Sequence, residues 1–112
     1  MPGARIRRVN EAVKEVLSTH IAGDLRDPRI GFVTVTSVET SPDLRRARVF
    51  VSVLGTEDER DESIAGLNAS HGYLQSQVAV ELRLKNTPVL EFVYDDSIDT
   101  GMRISELLED AE

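Results

Sequence analysis

At 112 residues the chain has room for one domain around a single core and none for a second. With 40% hydrophobic, 29% charged and only 4% aromatic residues it reads as globular, with a core built from Val, Leu and Ile; the absence of cysteine excludes disulfides, thiolate metal sites and thiol nucleophiles. A formal net charge of −7 argues at first against a nucleic-acid partner, and with no apolar run near the ~20 residues of a bilayer span, and no apolar signal core, a soluble cytoplasmic protein is expected.

In chain order, Ile6, Val9, Val13, Val16, Leu17, His20 and Ile21 recur at helical spacing, so Arg5 to Ala22 is predicted as an amphipathic helix stopped by Gly23, with Arg7, Arg8 and Lys14 on its wetter side. Asp24 to Gly31 is a loop, because Pro28 keeps Asp27 out of helical backbone. Phe32 to Thr40 and Arg45 to Leu54 alternate as strands around a Ser41-Pro42-Asp43 turn, giving an antiparallel hairpin. Ala47, Val49, Val51 and Val53 share its core face, while Arg46, Arg48, Phe50 and Ser52 face water.

Thr56 with Glu59 has the form of a capping box and opens a helix over Glu57 to Asn68. Ser70-His71-Gly72 interrupts the pattern, and Leu74, Val78 and Leu82 resume it in a new phase, so two helices meet at a small-residue kink with Gly72 as the permissive position. Asn86-Thr87-Pro88 is expected to end the second helix. Val89 to Tyr94 follows as a third strand with Leu90 and Phe92 inward, placed by a long crossover that permits parallel pairing. Asp95, Asp96, Ser97, Asp99 and Thr100 lead into a final helix from Met102 to Leu108. The predicted order is αββααβα in one domain, 1–112, whose ends at 1–4 and 109–112 are expected to fray.

That order is similar to the type II KH arrangement, a frame used to hold RNA. The local residues are more specific. Asp27-Pro28-Arg29-Ile30-Gly31, Val38-Glu39 with Ser41-Pro42-Asp43-Leu44, and Ala47-Arg48-Val49 resemble the bacterial ribosome-binding factor A family in spacing and identity. Leu82-Arg83-Leu84, Pro88-Val89-Leu90-Glu91-Phe92, Tyr94-Asp95, Ser97 and Gly101-Met102-Arg103 continue the likeness over nearly the whole chain. The resemblance implies an α+β, type II KH-like fold: an αββααβ core with a three-stranded mixed sheet, a kinked helix pair and a short C-terminal helix. It also implies a non-enzymatic, cofactor-free assembly factor. Such a factor binds 16S rRNA in the immature small (30S) ribosomal subunit, assists late maturation and 5′-end processing, matters most in the cold, and is released with help from a ribosome-dependent GTPase. The family replaces the usual KH GxxG loop by an Ala-x-Gly kink, and Ser70-His71-Gly72 stands at those positions.

Charge supports an RNA partner through its distribution. Residues 1–55 carry nine Lys and Arg against six Asp and Glu, a net +3; residues 56–112 carry four against fourteen, a net −10. Arg5, Arg7, Arg8, Arg26, Arg29, Arg45, Arg46 and Arg48 are candidate phosphate contacts, since guanidinium binds phosphate by charge and by forked hydrogen bonds. They are expected to gather into one patch. The plainer reading is solubility and local ion pairing. Ser70, His71 and Gly72 could bring backbone to a ribose-phosphate turn, with Tyr73 or Gln75 adding a stacking or polar contact, or form a purely structural junction. Arg83 and Lys85 are secondary candidates that could instead neutralise a helix C-terminus.

Asp95, Asp96 and Asp99 invite a magnesium or acid-base proposal, but capping of a helix entrance is favoured. His20 and His71 lie far apart in sequence and lack a Ser or Cys partner at a recognisable spacing, and His20 sits near the apolar helix stripe, so a core or boundary role is expected for it. The alternative function is an acidic protein-interaction domain that uses the same frame without RNA. A monomer is expected because no long apolar seam remains once the core is assigned.

Overall fold

The computed structural model describes residues 3–97, and the predicted C-terminal helix lies outside them. The elements are α1 (Ala4–Gly23), β1 (Phe32–Thr40), β2 (Arg46–Leu54), α2 (Glu57–Ala69), α3 (His71–Leu82) and β3 (Val89–Tyr94). β1 pairs antiparallel with β2, and β2 parallel with β3, giving a three-stranded mixed sheet in the order β1-β2-β3. The α+β architecture is therefore the predicted one.

One face of the sheet is packed and the other open. Val35, Val38, Ala47, Val49, Val51, Val53, Leu90 and Phe92 point to the packed face, where they meet Val13, Val16, Leu17 and Ile21 of α1, Leu67 of α2, and Leu74 and Val78 of α3. These side chains recur at period two on the strands and at three or four on the helices, so each element buries one stripe, worth roughly 1.5–3 kcal/mol per large side chain. Arg46, Arg48, Phe50, Ser52 and Leu54 lie on the opposite face of β2, with Phe50 and Ser52 half-buried.

Local polar groups set the connections. In the β1–β2 turn the Asp43 carboxylate accepts from the Ser41 hydroxyl at 2.6 Å and the Arg45 N–H at 3.1 Å, and Leu44 adopts a left-handed φ of +61°. The α2 capping box is complete, with the Glu59 N–H donating to Thr56 Oγ1 at 3.2 Å and the Thr56 N–H to Glu59 Oε1 at 3.1 Å. Between α2 and α3 only Ser70 leaves helical geometry; its N–H lies 3.1 Å from Gly66 O and 3.0 Å from Leu67 O.

Three expectations need correction here. His71 and Gly72 are not part of the interruption but the first residues of α3, and a Cβ built on Gly72 meets nothing within 4 Å, so no permissive residue is required there. The close approach is instead at Gly66, where a Cβ would stand 2.7 Å from Ile30 Cγ1 of the loop that packs over α2. Helix α3 also ends at Leu82, well before Asn86, because Arg83 takes a left-handed φ of +49° and its N–H closes on Ala79 O at 3.1 Å.

Both outer strands are partly sealed by side-chain amides. The Leu90 N–H donates to Gln75 Oε1 at 3.1 Å, the Phe92 N–H to Asn68 Oδ1 at 3.0 Å, and Asn68 Nδ2 returns a bond to Phe92 O at 3.2 Å. On β1 the Thr40 N–H donates to Asn10 Oδ1 at 3.0 Å. That bond also fixes the first turns of α1 beside the hairpin turn.

Candidate nucleic-acid interface

The hairpin end of the molecule collects five of the eight candidate arginines. Arg5, Arg7 and Arg8 stand exposed on the opening turns of α1, which the Asn10–Thr40 bond holds next to the turn bearing the exposed Arg45 and Arg46. None of the five makes an ion pair with an acid among the described residues. The first turn of α1 also contains no acidic residue. Its unsatisfied N–H groups therefore add partial positive charge to that of the arginines. The Val89 N–H donates to Arg45 O at 2.8 Å, so the 83–88 loop, with exposed Arg83 and Lys85, runs into the same end.

On the adjoining open face of the sheet is a shallow trough lined by Glu39, Thr40, Ser41, Arg46, Arg48, Val89 and Glu91. Its two arginines differ. Arg48 faces Glu39 across β1, and its Nε lies 3.4 Å from Glu91 Oε1 on β3. Arg46 faces Val89 and has no acid opposite.

The remaining candidates do not join this group. Arg26 and Arg29 lie in the loop that follows the other end of α1, a helix of 20 residues and therefore about 30 Å long. Arg29 is closed on its neighbour: Nη2 lies 2.6 Å and Nε 3.2 Å from Asp27 Oδ2, and the Arg29 N–H donates to Asp27 Oδ1 at 2.9 Å. This guanidinium holds the Asp27 carboxyl down at about 2. The expectation of a single patch is thus replaced by one open cluster of five and a divided remainder, because strand register sets acids against Arg48 and a two-residue turn sets one against Arg29.

At the α2–α3 junction His71 and Gly72 are exposed and Ser70 half-buried. The His71 Nδ1 donates to Asn68 O at 2.6 Å, as it must, since a carbonyl only accepts. Tyr73 donates its hydroxyl to Asp24 Oδ2 at 2.6 Å, and the same oxygen bonds His20 Nδ1, while His20 Nε2 lies 2.5 Å from Glu81 Oε2. The Asp24 and Glu81 carboxylates hold the imidazole above its usual range, and Tyr73, then His20, hold Asp24 below its own. His20 is therefore a boundary residue that ties α1 to α3. Gln75 is committed to the β3 backbone rather than to solvent.

Asp95, the first of the aspartate run, is likewise structural. Asp95 Oδ1 accepts from the Ser97 N–H at 3.0 Å and Oδ2 from the Thr36 hydroxyl at 2.5 Å; a hydrogen bond from the Ser97 side chain, then that from Thr36, then the Ser97 N–H lower its pKa. Asp99 lies outside the described residues. Among those residues no group of three His, Cys, Asp or Glu side chains could hold a metal ion.

Sequence reasoning did not single out Asn10, Asn68, Gly66 or Thr36, the last lying where the β1–β2 register shifts between Val35 and Ser37. Asparagine within a helical pattern was the available signal, since it is a poor helix former retained where its amide has a task.

The sequence model of the Ribosome-binding factor A family matches residues 5–108. Ribosome-binding factor A of Brevibacillus brevis is 46% identical over 108 residues, covering 96% of this chain and 89% of its own. The crystal structure of ribosome-binding factor A from Thermus thermophilus superposes with a TM-score of 0.71 at 26% identity, over 80% of this chain and 94% of that one. A T. thermophilus ribosome binding factor A model fitted into an electron-microscopy map of a 30S complex gives 0.65 at 26% identity, over 78% and 91%. With the family model matching residues 5–108 and relatives of this identity covering nearly the whole chain, the chain belongs to the ribosome-binding factor A family.

Proposed function

We propose that the protein is a small-subunit assembly factor that binds 16S rRNA in immature 30S particles through its hairpin end, without catalysing a reaction and without a cofactor. Arg5, Arg7, Arg8, Arg45 and Arg46 are the main phosphate contacts, and Arg83 and Lys85 extend them. Arg26, Ser70, His71 and Gly72 form a separate and weaker contact, while Arg29 and Arg48 contribute least because acids already occupy them. In this reading the factor works in the cytoplasm as a monomer. It stabilises one arrangement of the rRNA during late maturation and 5′-end processing, has its largest effect in the cold, and departs when a ribosome-dependent GTPase favours a state that binds it less well.

The observation that carries the proposal is the gathering at one end of a chain of net charge −7 of five exposed arginines that form no ion pair among the described residues. A family whose relatives include a factor placed on the 30S subunit supports the choice of partner. Co-sedimentation with immature small subunits over a salt series tests it. Binding should weaken steeply with salt, and the Arg45→Glu/Arg46→Glu variant should lower the slope of log affinity against log salt by about 1.5, near 0.7–0.9 per phosphate contact. Salt-independent binding that ignores the variant would instead support a protein-interaction domain without RNA.

A further inference from the structure

Phe32 and Leu54 stand at the end of the sheet remote from the cluster of five arginines. They are cross-strand partners on the last rung of the β1–β2 ribbon and share the open face. Phe32 is 80% and Leu54 77% exposed, more than any other large apolar residue described. Side chains directly opposite in an antiparallel pair lie about 5 Å apart, so these two make one apolar patch rather than two isolated residues. The next rung, Thr34 and Ser52, is small and polar and leaves the patch open on that side.

The chain that leaves it is acidic. Glu57 follows Leu54 by three residues, within about 11 Å along the chain, and the capping box fixes α2 directly after that step. Glu57, Asp58, Asp61 and Glu62 are all exposed on this helix, whereas Arg60 turns away to lie 3.8 Å from the centre of the Tyr94 ring. On the other flank, Arg29 is already closed on Asp27. Arg46, on the same strand as Leu54, is eight residues or about 26 Å distant.

We infer that this patch docks a cationic protein segment carrying a large apolar side chain, which packs on Phe32 and Leu54 while its Lys or Arg residues face Glu57, Asp58 and Asp61. The carboxylates that open α2 disfavour RNA at this end, and they also disfavour a second copy of this chain, since two like acidic ends repel. The two ends of the sheet then take partners of opposite charge, phosphate at one and basic polypeptide at the other. The proposal does not depend on the rRNA reading.

The test uses the isotopically labelled full chain and two synthetic peptides of equal Lys and Arg content, one with a central Phe and Leu and one with Ser in their place. Amide shifts should be confined to Phe32, Thr34, Ser52, Leu54 and residues 55–62, and the apolar peptide should bind at least about fivefold more tightly than its control. Phe32→Ser/Leu54→Ser should remove that difference while small-subunit binding stays at the wild-type level. Dispersion of the amide spectrum checks that this surface variant is folded, and Leu54→Gln alone, expected to halve the preference or more, provides the same reading if it is not. Equal binding of the two peptides, shifts centred elsewhere, shifts of the patch by an RNA oligonucleotide, or concentration-dependent shifts without peptide would each overturn the proposal.

Discussion

Arg46 and Arg48 sit two residues apart on one face of one strand, yet their surroundings are opposite. The first has Val89 beside it, the second Glu39 on one side and Glu91 on the other. The same contrast separates the two ends of α1. At its start the arginines form no ion pair among the described residues, whereas around its other end Asp24, His20, Tyr73 and Glu81 bond one another and Arg29 is held by Asp27. A charged residue is available to a ligand only when strand register and turn geometry have not already supplied its counter-charge.

Substitutions can break this contrast from either side. The largest effect is expected at the structural end, where Gly66→Val would drive a side chain into Ile30 and lower stability by about 3 kcal/mol, read from a denaturant midpoint at unchanged slope. Asn68→Ala should cost about 2 kcal/mol, because both the N–H and the carbonyl of buried Phe92 lose their partner. Neither change touches the basic end, so small-subunit association per folded molecule should hold.

Binding measurements then sharpen the comparison within β2. Arg46→Gln should weaken small-subunit association about fivefold at physiological salt, while Arg48→Gln should change it less than twofold; equal effects would mean that the acids around Arg48 do not occupy it. The smallest effect concerns pH. Because His20 has a raised pKa in the folded state, its contribution is complete below its unfolded value near 6.5 and disappears as pH rises through the folded value. His20→Gln should flatten the stability profile on that alkaline side, and an unchanged profile in thermal melts from pH 6 to 9 would contradict the His20 bridge.

What could be read from the sequence was what short-range chemistry decides. The α1 stripe, the alternation of β2, the Ser41-Pro42-Asp43 turn and the Thr56–Glu59 box each depend on residues within one or two turns of each other, and each was found where predicted. Groups that meet only through the fold were not legible. The pairing of Arg48 with Glu91 joins residues 43 positions apart through a parallel register, and the fit of Gly66 against Ile30 requires the loop to be laid over α2. The kink shows both cases: a break was legible from the change of phase, but its position at Ser70 and the regular helix at Gly72 followed from packing. For the candidate site, residue type identified the arginines, and only the arrangement of strands separated the five available ones from the rest.

The amide seal along β3 has a consequence for the chain's life in a crowded solution. A sheet edge with vacant N–H groups is a template on which another strand can grow, and Asn68 and Gln75 occupy those groups at Phe92 and Leu90. A newly made copy therefore loses its main invitation to edgewise polymerisation as soon as α2 and α3 dock, and Asn68→Ala should promote fibrous aggregation as well as unfolding.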